Sequence, residues 1–466
     1  MFRLMPQKAW GALGGILLAI ICPVEPSQAA KEPVLRVLVL ESKQLRFRAD
    51  GDKPLMLFGT GANKKRISTL KIHKKNGQFK MAVNGSSGRW SYLPRKTELR
   101  IRSNDPRGIW LGKRRYSGEL RVFVRGNDLL VVNYLGIEKY LASVVGSEMP
   151  KSWPMEALRA QAVAARTYAL QQLGKKEFYD VNSTEQNQVY LGIESETTST
   201  KKAVYTTRSL VLMHKGRLIN AVFHSSSGGA TEASGAVWTK QLPYLVSVPD
   251  YDQHSPAFKW EMEFDPYQLK AAFSEIGGVE GIKVLNSSNT GRVLTARIDG
   301  PRGDLELTGK ELRHRLGLKS TLASFEMVPH MPTSKKTLTK PFALWDSFNE
   351  SSSKIKNSSD DLLRRGWSFK ELDFDLAHKT QALKPPLPPP RPYLFPKLPP
   401  LFALEAPPPL PPIAKKLMLV VKGSGSGHGV GMSQWGAYGL AEKGVDFRKI
   451  LTHYYKGVEI RQFSAT

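Results

Sequence analysis

Cysteine is nearly absent from this chain of 466 residues, which contains only Cys22. That residue lies in an amino-terminal stretch with the features of a signal peptide, so the mature chain would carry no thiol. Disulfide bonds, thiolate–zinc sites and cysteine nucleophiles are therefore excluded from the mature protein. The 9 histidines are spread along the chain with no H-E-x-x-H spacing, so we predict no metal site and no cofactor.

Acidic residues are scarce relative to basic ones, because 41 Asp and Glu stand against 68 Lys and Arg, a net charge of +27. Such an excess implies a polyanionic neighbour, which could be nucleic acid, anionic lipid headgroups or an acidic polymer of the cell envelope. Long apolar runs are missing too. Beyond the amino-terminal stretch no run approaches the ~20 residues that span a bilayer, which excludes a multi-pass membrane protein.

The amino terminus carries the pattern of a secretory signal peptide. Arg3 and Lys8 precede a mostly apolar stretch at 9–22, and small residues follow at the spacing of a cleavage site. We therefore predict a signal peptide at 1–29 and export to the periplasm, the cell wall or the outside of the cell. A membrane anchor that stays attached is the alternative. Export argues against nucleic acid as a partner, and contact with anionic envelope surfaces would be peripheral at most.

Residues 31–130 are dominated by short β-branched and alternating runs. Examples lie at 34–40 and 120–124, and a Gly126-Asn127 turn leads into another run. This pattern predicts a β-rich amino-terminal region. Its many Lys and Arg side chains form either a solvated face or a polymer-binding surface.

Residues 131–330 mix helix and strand patterns. The clearest helix begins near Pro154, which suits an early helical position, and it continues with one apolar stripe of small residues that favours close packing. Strand-like runs return at 209–213 and 218–223. The whole chain therefore predicts an α+β fold that is rich in strands and has a few short helices.

Composition changes sharply at 331–416, which is rich in Ser and Lys and then in proline. Of the 28 residues from 385 to 412, 14 are proline. Because proline breaks helices and central strands, we predict a largely disordered insert. Order resumes at 417–462 with a strand, five alternating glycines and two short helices that begin near Ser433 and Asp446.

Two loops are further candidate sites. The alternating glycines at 423–431 enclose His428, but their spacing matches neither a dinucleotide fingerprint nor a P-loop. Either this backbone approaches something closely, with His428 exposed, or it is a tight strand-to-helix turn. Asp250, Asp252 and His254 form the densest polar cluster, and we interpret the two acids as solvated turn residues.

Glu148 is the candidate catalytic residue. It lies between an apolar run at 144–145 and Met149-Pro150, just before the small-residue helix. Apolar surroundings disfavour the charged form of a carboxyl group, which raises its pKa and lets it act as a general acid near neutral pH. A lone Glu in a loop is also common as a surface charge or at a helix N-terminus, so spacing alone leaves both interpretations open.

Three stretches of the chain form a distinctive series of motifs. They are 133–168 with S-E-M-P at 147–150, F-H-S-S-S-G-G at 223–229, and G-H-G-V-G-M-S-Q-W-G-A at 427–437. Taken in this order, they resemble the SpoIID/LytB family, which is named for stage II sporulation protein D and the amidase enhancer LytB. The resemblance implies a SpoIID-like domain in two parts, at 131–330 and 417–462, with the proline-rich segment inserted between them. The amino-terminal region lies outside it.

The resemblance implies a peptidoglycan lytic transglycosylase, because the family includes enzymes whose catalytic acid is the Glu of S-E-M-P. That position is Glu148 here. It would protonate the oxygen between N-acetylmuramic acid and N-acetylglucosamine. The muramic 6-hydroxyl would then attack C1 and leave a 1,6-anhydro end, so that the second carboxylate of ordinary glycosidases is not required. Glu138 and Glu156 stay open as second acids.

The resemblance also implies an alternative function, since other members are described as enhancers of a cell-wall amidase. The partners would be peptidoglycan glycan strands and, for an enhancer, the amidase itself. Some relatives bind zinc through Cys and His near H-x-x-x-G-G, but this chain has no cysteine there, so we predict no zinc. Arg166 is a candidate for substrate binding that could equally be structural. The full set of substrate-binding candidates is Arg166, His224, Ser225, His428 and Gln434.

Overall fold

The computed structural model describes residues 32–59, 64–85, 90–94, 98–329 and 417–464. The predicted signal peptide at 1–29 and the predicted insert at 331–416 lie outside the described residues. Within the described ranges, no helix is both long enough and apolar enough to cross a membrane.

The chain divides into two compact units. The first unit contains the described residues up to Val222 together with 446–452 and 457–464. The second unit contains the described residues of 223–445 together with 453–456. The domain boundaries that the sequence analysis proposes stay predictions.

Strands make up the amino-terminal part of the first unit, as the alternating pattern predicts. They form a seven-stranded sheet of order β13-β1-β12-β11-β8-β3-β4 and a six-stranded sheet of order β10-β9-β2-β5-β6-β7. The bounds are β1 (Val34–Ser42), β2 (Gln44–Arg48), β3 (Leu55–Phe58), β4 (Lys65–Ile67), β5 (Thr69–Lys75), β6 (Gln78–Val83), β7 (Ser91–Leu93), β8 (Glu98–Arg102), β9 (Ile109–Leu111), β10 (Arg114–Tyr116), β11 (Glu119–Arg125), β12 (Asp128–Gly136) and β13 (Val181–Asn182).

Buried and exposed side chains alternate along these strands, which is the pattern of a sheet with one face in the core. In β2, Leu45 and Phe47 are buried while Arg46 between them is exposed, so one face of the strand joins the core and the other meets solvent. β11 and β12 pair from Arg125 and Asp128 onward, which leaves a two-residue turn at the predicted Gly-Asn pair. The prediction of a β-rich region is confirmed.

The helices confirm the α+β prediction, and in the described residues most are short. Helix α2 starts directly after Pro154, as predicted. The helices are α1 (Ile137–Glu148), α2 (Met155–Gln171), α3 (Thr198–Thr206), α4 (Ser234–Val237), α5 (Pro266–Ala272), α6 (Gly309–Leu316), α7 (Gln434–Glu442) and α8 (Phe447–Tyr454), with short 3-10 turns at Ile193–Ser195 and Ser274–Ile276.

Helix α1 corrects the sequence analysis, which placed Glu148 in a loop. Glu148 is instead the last residue of a helix of 12 residues. The buried residues Ile137, Leu141 and Val144 recur at helical spacing along it, so the signal was present in the sequence. The β-branched Ile and Val residues at 137, 144 and 145 have a low helix propensity, but burial of one helical face outweighs that weak preference.

The remaining strands lie in both units. In the first unit β14 pairs with β15 and β24, whereas in the second β22 lies between β17 and β21, and β19 lies between β18 and β20. The bounds are β14 (Leu210–His214), β15 (Arg217–Leu218), β16 (Phe223–His224), β17 (Trp260–Phe264), β18 (Gly281–Ser287), β19 (Val293–Gly300), β20 (Gly303–Thr308), β21 (Ala323–Pro329), β22 (Leu417–Gly423), β23 (Met432–Ser433) and β24 (Glu459–Gln462).

One hydrophobic core of the second unit joins the segments on both sides of the proline-rich stretch. Leu419 and Val421 of β22 are fully buried in the same cluster as Phe273 and Ile298. The predicted strand at 417–421 is confirmed, whereas the predicted run at 218–223 is interrupted because β15 ends at Leu218 and the next strand begins at Phe223.

Candidate functional site

Glu148 lies at the carboxyl-terminal end of α1 and is half-buried. The Val189 backbone N–H donates to its Oε1 over 2.8 Å, which fixes the orientation of the carboxyl group. The neighbouring Tyr140 is fully buried, and its hydroxyl donates to Gln188 Oε1 over 3.0 Å. Burial raises the pKa of Tyr140 well above its usual value, and the charge of Glu148 adds to this effect. The carboxyl group thus has a fixed, partly desolvated position.

The end of α1 rests directly on the chain at 192–197. Gly146 permits this approach, because a Cβ at that position would lie 1.9 Å from the Ser195 carbonyl oxygen. Ser143 Oγ donates to the Gly192 carbonyl oxygen over 2.7 Å and reinforces the contact. Backbone-to-backbone packing leaves little freedom for the last turn of the helix, so Glu148 stands on a rigid support.

Arg166 is buried in an ion pair with Glu138. The side chain is 1% exposed, and its Nε and Nη2 atoms donate to the two carboxylate oxygens of Glu138 over 2.9 and 2.7 Å. Its guanidinium also donates to the carbonyl oxygens of Leu210 and Val204. Arg166 thus ties α1 and α2 to α3 and to the chain after α3. This environment agrees with the interpretation of Arg166 as a structural residue.

The other two acids considered for catalysis also have structural partners. Glu138 is held by Arg166, as described above. Glu156 Oε1 accepts from Arg159 over 2.5 Å, and Glu156 Oε2 accepts from the Phe447 backbone N–H over 2.9 Å. Both carboxylates therefore stabilise the packing of the first unit.

Two of the motif stretches meet in the second unit. β16 and β23 pair in parallel, with His224 opposite Ser433. Ser226 and Ser426 exchange backbone hydrogen bonds of 3.0 and 2.7 Å, which joins the H-x-x-x-G-G stretch to the glycine loop. Far-apart segments of the chain are thus brought to one place by backbone pairing.

Three tilted rings lie close together at this junction. The His428 ring lies 5.4 Å from the His224 ring and 5.3 Å from the Trp238 ring, between ring centroids. His224 is buried, whereas Trp238 is 38% exposed. His428 is half-buried, which corrects the prediction of an exposed histidine. Trp238 was missed because nothing in the local sequence shows that it lies beside two histidines.

Hydrogen bonds to Val430 orient both imidazoles. The Val430 N–H donates to His428 Nδ1 over 3.0 Å, and the Val430 carbonyl oxygen accepts from His224 Nδ1 over 3.1 Å. No hydrogen-bond partner of the buried His224 Nε2 is found among the described residues. Burial lowers the pKa of His428 to about 4 and that of His224 well below its usual value, so both rings are neutral at pH 7.

Arg292 is a second residue that sequence reasoning missed. It is 1% exposed, and its Nη2 donates to the Ser227 carbonyl oxygen over 2.6 Å. Burial lowers the pKa of this guanidinium, while the buried Glu232 opposes that shift. Gly429, whose φ is +81°, packs against it, since a Cβ there would lie 2.5 Å from the guanidinium carbon. The glycine loop therefore makes a close backbone approach, with Arg292 beneath it.

Asp250 and Asp252 hold the H-x-x-x-G-G stretch. Asp252 is fully buried and accepts from Ser226 Oγ over 2.5 Å and from the Gly228 and Gly229 backbone N–H groups over 2.8 and 3.0 Å. Asp250 accepts from Ser227 Oγ. The interpretation as solvated turn residues is wrong, because the backbone N–H groups of the loop needed buried acceptors.

Asp250 also holds Tyr454, which belongs to the same unit. Its Oδ1 accepts from the Tyr454 hydroxyl over 2.6 Å. Burial, together with the neighbouring Asp252, raises the pKa of Asp250. Within the described ranges, no group of three or more potential ligands could hold a metal ion.

The last two candidates are part of the same junction. Gln434 is buried as the first residue of α7, directly after the N-cap Ser433, whose Oγ accepts from the Gly436 N–H over 3.1 Å. Ser225 is half-buried, and its carbonyl oxygen accepts from the Trp435 N–H over 3.0 Å. His224, Ser225, His428 and Gln434 thus belong to the second unit, whereas Glu148 and Arg166 belong to the first. The catalytic and binding roles of these six residues stay predictions.

Comparison with known proteins agrees with the motifs. The family model described as stage II sporulation protein, SpoIID, matches residues 125–214, which contain α1, α2 and Glu148. This match supports the resemblance to the SpoIID/LytB family. The matched segment ends before the second unit begins. The rings of His224, His428 and Trp238 and the side chain of Arg292 therefore lie outside it.

Individual relatives extend the similarity beyond this segment. It is 34% identical to stage II sporulation protein D of Bacillus subtilis, over 42% of this chain and 61% of that protein. It is 28% identical to the amidase enhancer of Bacillus subtilis, over 69% of this chain and 40% of that protein. An uncharacterized protein of Brachyspira hyodysenteriae is 27% identical over 77% of this chain and 75% of its own length. The alignments thus span less than two thirds of both Bacillus subtilis proteins.

The depressed histidine pKa values predict acid sensitivity of the fold. A histidine has a pKa near 6.5 when unfolded, so between pH 6.5 and about 4 the unfolded chain binds more protons than the folded one, and stability falls as pH falls. From His428 alone, we expect the free energy of unfolding to drop by roughly 2 kcal/mol between pH 7 and pH 5. Urea unfolding at the two pH values measures this change.

A pair of variants provides the control for this prediction. His428→Gln should flatten the pH dependence, whereas His254→Gln, at an exposed histidine, should leave it unchanged. An equal slope in His428→Gln and the parent protein would contradict the assignment of acid sensitivity to this ring.

Proposed function

We propose that this protein is exported and acts on peptidoglycan glycan strands as a lytic transglycosylase. The resemblance to the SpoIID/LytB family supports a cell-wall-related function, and the name of one relative, amidase enhancer, agrees with it. The observation that carries the finer proposal is Glu148, a half-buried carboxyl group that Val189 orients at the rigid end of α1. The hydrogen bond from the Val189 N–H would hold the carboxyl group in one orientation as it gives its proton to the substrate.

The chemistry requires one proton and no outside reactant. Glu148 would give its proton to the glycosidic oxygen as the bond from that oxygen to the muramic C1 breaks. The 6-hydroxyl oxygen of the same sugar would bond to C1, and its proton would return to the Glu148 carboxylate. No water is consumed, and the products are a free 4-hydroxyl and a 1,6-anhydro end. The structural roles of Glu138 and Glu156 support a single-acid scheme.

The second unit would contribute to glycan binding. The partly exposed ring of Trp238 can lie against the apolar face of a sugar, as amphipathic aromatic side chains do at binding sites. Neutral His428 lies beside this ring and would hold it in place.

Product analysis tests the proposal. The purified mature protein is incubated with intact and with peptide-stripped glycan, and the products are weighed by mass spectrometry. The proposal expects 1,6-anhydro ends, which are lighter by one water than hydrolysis products of the same composition. Hydrolysed ends, or intact glycan after prolonged incubation, would contradict it.

The alternative is a non-catalytic enhancer of a cell-wall amidase. The relative named amidase enhancer favours this function, because its similarity covers 69% of this chain. An enhancer would leave glycan strands intact but would increase the rate at which an added wall amidase releases stem peptides. The same purified protein, assayed with and without the amidase, separates the two functions.

A further inference from the structure

The outer face of the six-stranded sheet in the first unit is basic and aromatic. Its inner face is apolar and buried, with residues such as Phe47, Ile72 and Phe79. Directly opposed residues of antiparallel strands share a face, so the pairing register identifies the side chains of the other side. We call these residues the outer face: Arg46, Arg48, Lys71, His73, Lys80, Trp90, Tyr92, Trp110 and Arg115.

Aromatic rings stand at one edge of the outer face. Tyr92 of the edge strand β7 is 62% exposed, and Lys80 Nζ of the next strand lies 4.9 Å from its ring centroid. Trp90 is 37% exposed, and its ring lies 4.2 Å from the His73 ring. Large rings left open to solvent beside cations are typical of interaction surfaces.

Two basic side chains with no acidic partner among the described residues lie in the middle of the outer face. Arg46 and Lys71 are exposed and oppose each other across β2 and β5. No ion pair of either residue is found in the described parts of the chain, whereas Arg115 at the far edge is paired with Asp50 and Glu194. Positive charge is therefore unbalanced next to the exposed rings.

We propose that the outer face binds carboxylate-bearing glycan strands of peptidoglycan. Sugar rings would lie against Tyr92 and Trp90, and the acidic groups of the strand would pair with Arg46 and Lys71. A flat face suits a polymer, because many weak contacts along a repeating strand add up to useful affinity. The choice of polymer rests on the proposed wall-directed function. Single-stranded nucleic acid would bind the same kinds of side chain. The resemblance to a family of cell-wall proteins favours the wall polymer instead.

Sedimentation of the full mature protein with insoluble peptidoglycan tests the proposal. The triple variant Arg46→Ser, Lys71→Ser, Tyr92→Ser loses two charge contacts and one ring contact, so it should bind roughly 10-fold more weakly. Its binding should also depend less on salt, because screening acts on the lost charge contacts. The swapped variant Arg46→Lys, Lys71→Arg should bind like the parent protein.

A matched triple variant controls for lost charge and lost aromatic area. Lys65→Ser, Arg66→Ser, Tyr267→Ser removes two exposed cations and an exposed ring outside the outer face, and it should bind like the parent protein. Equal weakening in both triple variants, or no weakening in the first, would overturn the proposal. So would stronger, face-dependent binding of single-stranded DNA than of peptidoglycan.

Failure of the binding-surface proposal can be distinguished from failure of the transglycosylase proposal. The outer-face variant should melt at the parent temperature and should cleave short soluble glycan oligomers at the parent rate. If the parent protein cleaves nothing but binds through this face, the transglycosylase proposal fails and the binding surface stands. If it cleaves while the outer-face variant binds normally, the binding surface fails alone.

Discussion

Glu148→Gln is expected to lower glycan cleavage by at least ~100-fold, since general acid catalysis typically contributes 10²–10⁴-fold. Glutamine keeps the shape of the side chain and can still accept the Val189 hydrogen bond, but it has no proton to give to the glycosidic oxygen. Glycan binding and the melting temperature should barely change. Cleavage rates of peptide-stripped glycan, measured beside binding and thermal unfolding, check all three expectations.

Two further substitutions sharpen this experiment. Glu148→Asp should also cleave poorly, because the shorter side chain withdraws the acid from the reacting oxygen. Glu156→Gln should retain most of its cleavage, since Glu156 holds Arg159 and the Phe447 N–H in the structure. Full cleavage by Glu148→Gln would show that the acid is another residue. If the parent protein only raises amidase activity and Glu148→Gln does so equally, the enhancer function is correct.

Arg166→Met should destabilise the protein by about 3–5 kcal/mol, the range for breaking a buried ion pair by removal of one partner. The substitution leaves the Glu138 carboxylate, whose side chain is 14% exposed, without its cation, and it removes donors from two backbone carbonyl groups. Urea unfolding measures the loss of stability. Because the ion pair ties α1 to α2, glycan cleavage should fall only as far as the folded fraction falls.

A double-mutant cycle distinguishes this role from substrate binding. Glu138→Gln alone should also destabilise, and the double variant should lose less stability than the sum of the single losses, because no uncompensated charge remains. An Arg166→Met protein of unchanged stability that no longer binds glycan would instead identify Arg166 as a substrate-binding residue.

Short-range patterns predicted much of the fold. The start of α2 follows from Pro154 because proline suits the first turn of a helix, and β1 follows from its β-branched residues. Helix α1 was missed although its apolar residues recur at helical spacing, because its β-branched residues have a low helix propensity. Glu148 could be selected from its motif, but its place at a helix end could not.

The sequence by itself determined the charge, the order of the motifs and the family resemblance, since these properties depend on residues that are read along the chain. Only the tertiary structure decided which of these residues meet. Asp252 supports two glycine N–H groups 23 and 24 residues away, and Arg292 lies beneath Gly429 across more than a hundred residues. Local spacing carries no information about such contacts, because they arise where buried polar groups of distant segments must satisfy one another. The outer face likewise exists only because strand pairing aligns alternate side chains of separate strands.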